Sequence, residues 1–247
     1  MTDPATNDHA IAQQAFLPVP HLWKITMLGI TATLLWDITD LDLWLVSLLA
    51  DSHGFGLRHQ WWLETLLHDM TRHLATLAYL LLLLMVWRPV GVFRRLALVQ
   101  RVEALAGITL GLLAIAWVKK NSLTSCPWDL QMFGGIAQYT SHWAWGVSDG
   151  GSAHCFPGGH ASAALAYLAL ALPWLTTTST ADQRLGWRIF WLVLLAGLVL
   201  GLTQTLRGAH YPSHTLWTAL ICWMAALFNH QAFVLVQRGK LAWSASA

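Results

Sequence analysis

Charge is what this chain has least of. Lysine, arginine, aspartate and glutamate together make up 11% of it, against about 25% in an average soluble domain. That scarcity excludes a water-soluble globular fold and points to a polytopic membrane protein. The net charge, +2 with histidine neutral, is too small to suggest a nucleic-acid partner. Residues 1–20 lack the basic start, apolar run and small-residue cleavage site of a signal peptide, so the first apolar segment is expected to stay as an anchor. No internal repeat, low-complexity stretch or second domain is visible. The chain therefore divides into a flexible cytoplasmic tail at 1–20, a single membrane domain at 21–237 and a short cytoplasmic tail at 238–247. Cysteine is also scarce, at three residues, and no His-Glu-x-x-His zinc motif occurs.

Apolar sequence is abundant: 56% of residues are hydrophobic, mean hydropathy is +0.50, and 16 are tryptophan. Many of the tryptophans (Trp23, Trp36, Trp87, Trp117, Trp187 among them) fall near the ends of apolar runs, as they do at a lipid–water boundary. The fold class expected is all-α, a six-transmembrane-helix bundle with interfacial amphipathic helices. Its spans are placed at 22–36, 72–87, 102–118, 158–175, 189–206 and 213–236, each near the ~20 residues a bilayer requires. Arg88, Arg94, Arg95, Arg101, Arg184, Arg188, Arg238 and Lys240 then lie on one side, the cytoplasmic one, with both termini. Arg58, Arg72, Lys119, Lys120 and Arg207 lie on the other side, with most of the aspartates. Between the first two spans, residues 41–68 mix apolar, aromatic and charged positions. They read as one or two helices lying in the outer interface, split at Gly54-Phe55-Gly56, either a structural lid or a surface for substrate lipid.

Three segments meet on that outer face. Lys119-Lys120 ends the third span, Pro157-Gly158-Gly159-His160 opens the fourth, and Arg207-Gly208-Ala209-His210-Tyr211-Pro212-Ser213-His214 joins the last two. A glycine-rich helix mouth offers free backbone N–H groups to an anion, and an imidazole beside it can move a proton. Lysine, histidine and arginine converging at a bilayer surface suit a phosphate presented there.

Lys119, six residues, Cys126-Pro127, then Pro157-Gly158-Gly159-His160, then His210 resemble the three-part signature of the type 2 phosphatidic acid phosphatase superfamily, written KxxxxxxRP, PSGH and SRxxxxxHxxxD. The resemblance covers roughly residues 70–236. It implies a nucleophilic His210 that takes the phosphoryl group as phosphohistidine, and a His160 that protonates the leaving alkoxide and then activates water. It also implies that Lys119, Arg207 and the Gly159 N–H hold the phosphate oxygens, with no metal or other cofactor required.

The chain departs from the signature at four places: Cys126 and Gln204 stand where it has arginine, Gly158 where it has serine, and His214 where it has aspartate. Arg207, one turn beyond Gln204, is expected to share its face and reach the same phosphate. His214, four residues after His210, is expected to accept the His210 Nδ1–H, with Asp129 or Asp149 as further help. Plainer readings stand beside these. Lys119-Lys120 suits an interfacial anchor, and His210, His214 and His160 could ligate zinc. His53, His59, His68, His73, His142 and His154 read as interface or loop residues. If the first two motifs meet around one phosphate, Cys126 and Cys155 come close in an oxidising compartment. A disulfide is preferred there over two buried free thiols.

The expectation is an integral membrane lipid phosphatase in a bacterial inner membrane, with the active site on the periplasmic side. The substrate would be a lipid-linked phosphomonoester or diphosphate. A phosphotransferase using the same intermediate, and a catalytically degenerate lipid-phosphate binding or transport protein, are the alternatives.

Overall fold

The computed structural model describes residues 20–246; all of the expected first tail except Pro20 lies outside them. Among the described residues seven helices carry the fold: α1 (Pro20–Asp37), α2 (Leu41–Ser47), α3 (Thr71–Trp87), α4 (Leu98–Asn121), α5 (Ser162–Leu175), α6 (Thr180–Leu206) and α7 (Pro212–Ser246). Four segments are long and apolar enough to cross a bilayer: Thr71–Arg95, Leu98–Asn121, Thr180–Leu206 and Pro212–Gly239. The other two expected spans differ in kind. The first, α1, has 18 residues, but His21, Lys24, three threonines and Asp37 dilute its apolar character. The fourth begins only at Ser162, because Pro157-Gly158-Gly159 stays outside the helix. From Ser162 the chain makes one α-turn, six residues of 3₁₀-helix and a second α-turn. That rise of about 24 Å is short of a ~30 Å hydrocarbon core.

The core lies where α4, α5, α6 and α7 meet. Ile108 and Ile115 of α4, Leu165, Leu168 and Leu172 of α5, and Cys222, Trp223, Ala226 and Leu227 of α7 are buried in one cluster. Small residues set the spacing: a Cβ on Gly197 or Gly201 of α6 would collide with Leu165 or Thr215, so glycine permits the close helix approach that membrane packing relies on. A buried polar contact also crosses the α4–α7 seam, where His230 Nδ1 lies 2.8 Å from Glu103 Oε1 and Asn229 Nδ2 donates to the Glu103 carbonyl. At the same end of the bundle, Arg95 pairs with Asp182 and so joins the two arginine-bearing connections. The last helix runs on through Ser246, so residues 238–246 of the expected tail continue α7.

The segment between α1 and α3 is more varied than two interfacial helices. It holds α2, then a hairpin of two-residue strands, β1 (Ala50–Asp51) and β2 (Gly54–Phe55), in antiparallel pairing, then a π-helix (Trp62–Met70) running into α3. It is held down by a second apolar cluster in which Val46 and Phe55 pack on Leu130, Phe133, Ala137 and Tyr211.

Candidate active site

Lys119 sits in the last turn of α4. Beyond it the chain leaves the helix at Ser122 and runs beside residues 149–155. His154 N donates to the Ser122 carbonyl and Cys155 N to that of Thr124, both at 3.0 Å. The buried Asp149 carboxylate accepts from Ser125 N, from Ser125 Oγ at 2.8 Å and from Gly151 N at 3.0 Å. Cys126 and Cys155 complete the join as a disulfide, with Cα atoms 5.1 Å apart, inside the ordinary range for such a bond. The disulfide expected from the sequence is therefore present, and the only free cysteine is Cys222, buried in α7.

This pairing carries the next few residues back over the end of α4. The Lys119 side chain lies across Gly159, where an added Cβ would meet Lys119 Cδ at 3.3 Å and Nζ at 3.8 Å; glycine there is what allows the two to touch. Gly158 N donates to the His214 carbonyl at 3.2 Å, and Thr218 Oγ donates to the Gly158 carbonyl at 3.1 Å. The glycine pair is thereby fixed to the start of α7.

The turn between α6 and α7 is the third element. Gly208 has φ +75°, a conformation glycine adopts at no steric cost, and its carbonyl accepts from Trp128 N at 3.0 Å. Asp42 of α2 accepts from Ser213 N and Ser213 Oγ, capping the first turn of α7 from outside. His210 is thus held between two anchored points.

These elements enclose a cavity of about 750 Å³. Its polar end carries Arg72, Lys119, Gly159, His160, Gln204 and His210; its apolar wall includes Ala75, Tyr79, Leu112, Ala163 and Tyr167. His160 Nε2 donates to the Leu67 carbonyl at 2.9 Å. His210 Nδ1 lies 3.3 Å from the Cys155 sulfur and 3.5 Å from His214 Nδ1.

A family model described as the PAP2 superfamily matches residues 102–238, more than half of the chain. The chain belongs to the PAP2 superfamily. Neither the curated proteins nor the solved structures compared with it give a match. Membership in this family, of type 2 phosphatidic acid phosphatases, implies phosphatase-type activity.

Of the residues aligned with the PAP2 signature, Lys119, Gly159, His160, Gln204 and His210 line one cavity. His214 stands behind His210, almost fully buried, with its ring edge-on to those of Phe156 and His142. Arg207 does not line the cavity. Its Nε donates to the Arg58 carbonyl at 2.9 Å, one Nη to Glu64 at 3.1 Å and the other to Gln204 Oε1 at 3.4 Å. The expected reach of Arg207 toward a phosphate is thus replaced by a role behind Gln204, because Glu64 of the π-helix supplies a carboxylate partner. Asp129 and Asp149 are likewise occupied, by Ser152 Oγ and by Ser125. His160 does not join His210 and His214 in a ligand cluster. The described group with ligand spacing is Cys126, Cys155 and His210, and its two sulfurs are bonded to each other.

Arg72, Tyr79 and Tyr167 escape a motif-based reading. His142 does as well: read as a plain loop residue, it stacks on Phe156 at 4.3 Å and sets Nε2 3.3 Å from Asp37 Oδ2. Burial pushes its pKa below the ordinary 6.5, although Asp37 pulls the other way. A histidine whose folded pKa is depressed binds fewer protons folded than unfolded, so acid works against the fold. The thermal midpoint should fall as pH drops below 6.5, and His142→Gln should flatten that fall. Equal slopes of midpoint against pH in variant and wild type would show that His142 is not responsible.

Proposed function

We propose that the chain is an integral membrane phosphatase that hydrolyses a lipid-linked phosphomonoester or diphosphate through a phosphohistidine intermediate. The observation that carries this reading is the single cavity shared by Lys119, His160 and His210, polar at one end and walled by Ala75, Tyr79, Leu112 and Tyr167 further along. Tyr79 and Leu112 each lie seven residues deeper in their helices than Arg72 and Lys119, about 10 Å, which gives an acyl or prenyl chain room beside its headgroup.

In the proposed reaction the Nε2 lone pair of His210 attacks phosphorus while His160, as imidazolium, gives its proton to the departing oxygen. Lys119 and the Gly159 N–H stabilise the negative charge that collects on the equatorial oxygens. His214 faces His210 Nδ1 and orients the ring as a neutral partner, a weaker support than a carboxylate. Water then attacks the phosphohistidine, passing a proton to His160 and releasing phosphate. The Arg95–Asp182 pair supports grouping the arginine-rich connections at one end. With that end cytoplasmic, the site faces the periplasm of a bacterial inner membrane with all six apolar segments inserted.

The test is phosphate release by detergent-purified protein, in chelator and without added metal. The substrates are phosphatidate, phosphatidylglycerol phosphate, a polyprenyl diphosphate and a lipid A phosphate. At least one should turn over. Release from none of them, by protein that remains folded, would overturn the reading.

A further inference from the structure

The family signature carries a lysine and two arginines, but this chain has Cys126 and Gln204 where the arginines belong. Cys126 is tied up in a disulfide, and nearby Arg207 is engaged by Glu64 and the Arg58 carbonyl. Within the matched segment, Lys119 is therefore the only lysine or arginine on the cavity wall. A phosphate ester at neutral pH carries up to about two negative charges, and one lysine, a point charge without a fork of donors, serves its equatorial oxygens poorly.

The wall has a second basic side chain from elsewhere. Arg72 is the second residue of α3 and lies outside the matched residues 102–238. Arg72, Ala75, Thr76 and Tyr79 all line the cavity, the i, i+3, i+4, i+7 stripe of one helix face. Among the described residues none pairs with the Arg72 guanidinium; the side-chain hydrogen bond it receives, from Thr76 Oγ, goes to its backbone carbonyl. Among the described residues no aspartate or glutamate lines the cavity either. Lys119 and Arg72 therefore face an enclosure in which no described carboxylate pairs with them.

We infer that Arg72 is the phosphate-binding arginine of this chain, supplied by α3 in place of the two arginines absent from the signature positions. An arginine at the outer end of an apolar helix is often only an interfacial anchor. Its position on the cavity stripe, not on the lipid-facing remainder of α3, argues for the phosphate.

The inference rests on the phosphatase reading for turnover but not for binding, so the experiment measures both. Binding of orthovanadate, a mimic of the phosphoryl group in transit, is measured by calorimetry on purified wild type, Arg72→Ala and Arg72→Lys. Arg88→Ala, at the other end of α3, serves as the control. Arg72→Ala should bind vanadate at least about tenfold more weakly, Arg72→Lys in between, and Arg88→Ala like wild type. On the best substrate kcat/KM should fall about 10²-fold in Arg72→Ala, as when one preorganised donor is lost, and added methylguanidine should restore part of it. Unchanged vanadate affinity in Arg72→Ala would overturn the inference and leave Arg72 an anchor, and so would a wild type that binds no vanadate. A wild type that binds vanadate through Arg72 yet hydrolyses no lipid phosphate would uphold the inference and sink the phosphatase reading alone.

Discussion

Replacing His210 with glutamine should reduce phosphate release to background, a loss of up to about 10⁶-fold if His210 is the nucleophile, as when the attacking residue of a hydrolase is removed. Glutamine keeps a polar side chain at a buried position whose surroundings are fixed independently, by Trp128 on the Gly208 carbonyl and by Asp42 on Ser213. The variant should therefore purify in the same yield and melt within a few degrees of wild type. Rapid acid-free quenching with a radiolabelled substrate should trap label on wild-type protein and none on the variant. Near wild-type release by folded His210→Gln would exclude the phosphohistidine route and leave His160 to activate water directly.

Breaking the Cys126–Cys155 bond should cost stability. The two residues are 29 apart in sequence, and closing a loop of that length is worth about 3–4 kcal/mol in the chain-entropy model. For a chain of this size that is roughly a 10 °C fall in thermal midpoint. Cys126→Ser, and wild type in reductant, should show the same drop, whereas Cys222→Ala should leave the response to reductant unchanged. Activity should fall with reduction too, because Cys126 lines the cavity and the Cys155 sulfur touches the His210 ring. A midpoint indifferent to reductant in protein shown to carry no remaining disulfide would mean that the hydrogen bonds accepted by the Asp149 carboxylate and the Thr124 carbonyl hold this junction unaided.

The motif residues were legible in the sequence because they are local. Gly159, His160 and His210 carry their chemistry and their turn geometry within a few positions of themselves, and the disulfide followed from two cysteines each lying beside a motif. Arg207 was not legible. Its spacing from Gln204 predicts a shared helical face, but it caps the end of α6, and its carboxylate partner Glu64 lies 143 residues away. No periodicity encodes such a partner. Arg72 was visible only as a charge on the outer side, since nothing in a single apolar run says which stripe of a helix faces a cavity and which faces lipid. The start of α5 was misplaced for a related reason, at 158 instead of Ser162. An apolar run that includes Pro157-Gly158-Gly159 looks long enough to span, while backbone that must approach Lys119 and His214 cannot also be helix.

The helix that bears Arg72 is the most sparsely packed of the four long ones, with only 6% of its most apolar window buried against the rest of the protein. The cavity wall it forms is therefore bordered by hydrocarbon on its other side. A lipid reaching this site would stay in its own leaflet and arrive by lateral diffusion. For such a substrate, turnover would follow surface density, the mole fraction in the membrane or micelle, and bulk molarity would be the wrong axis on which to plot a rate.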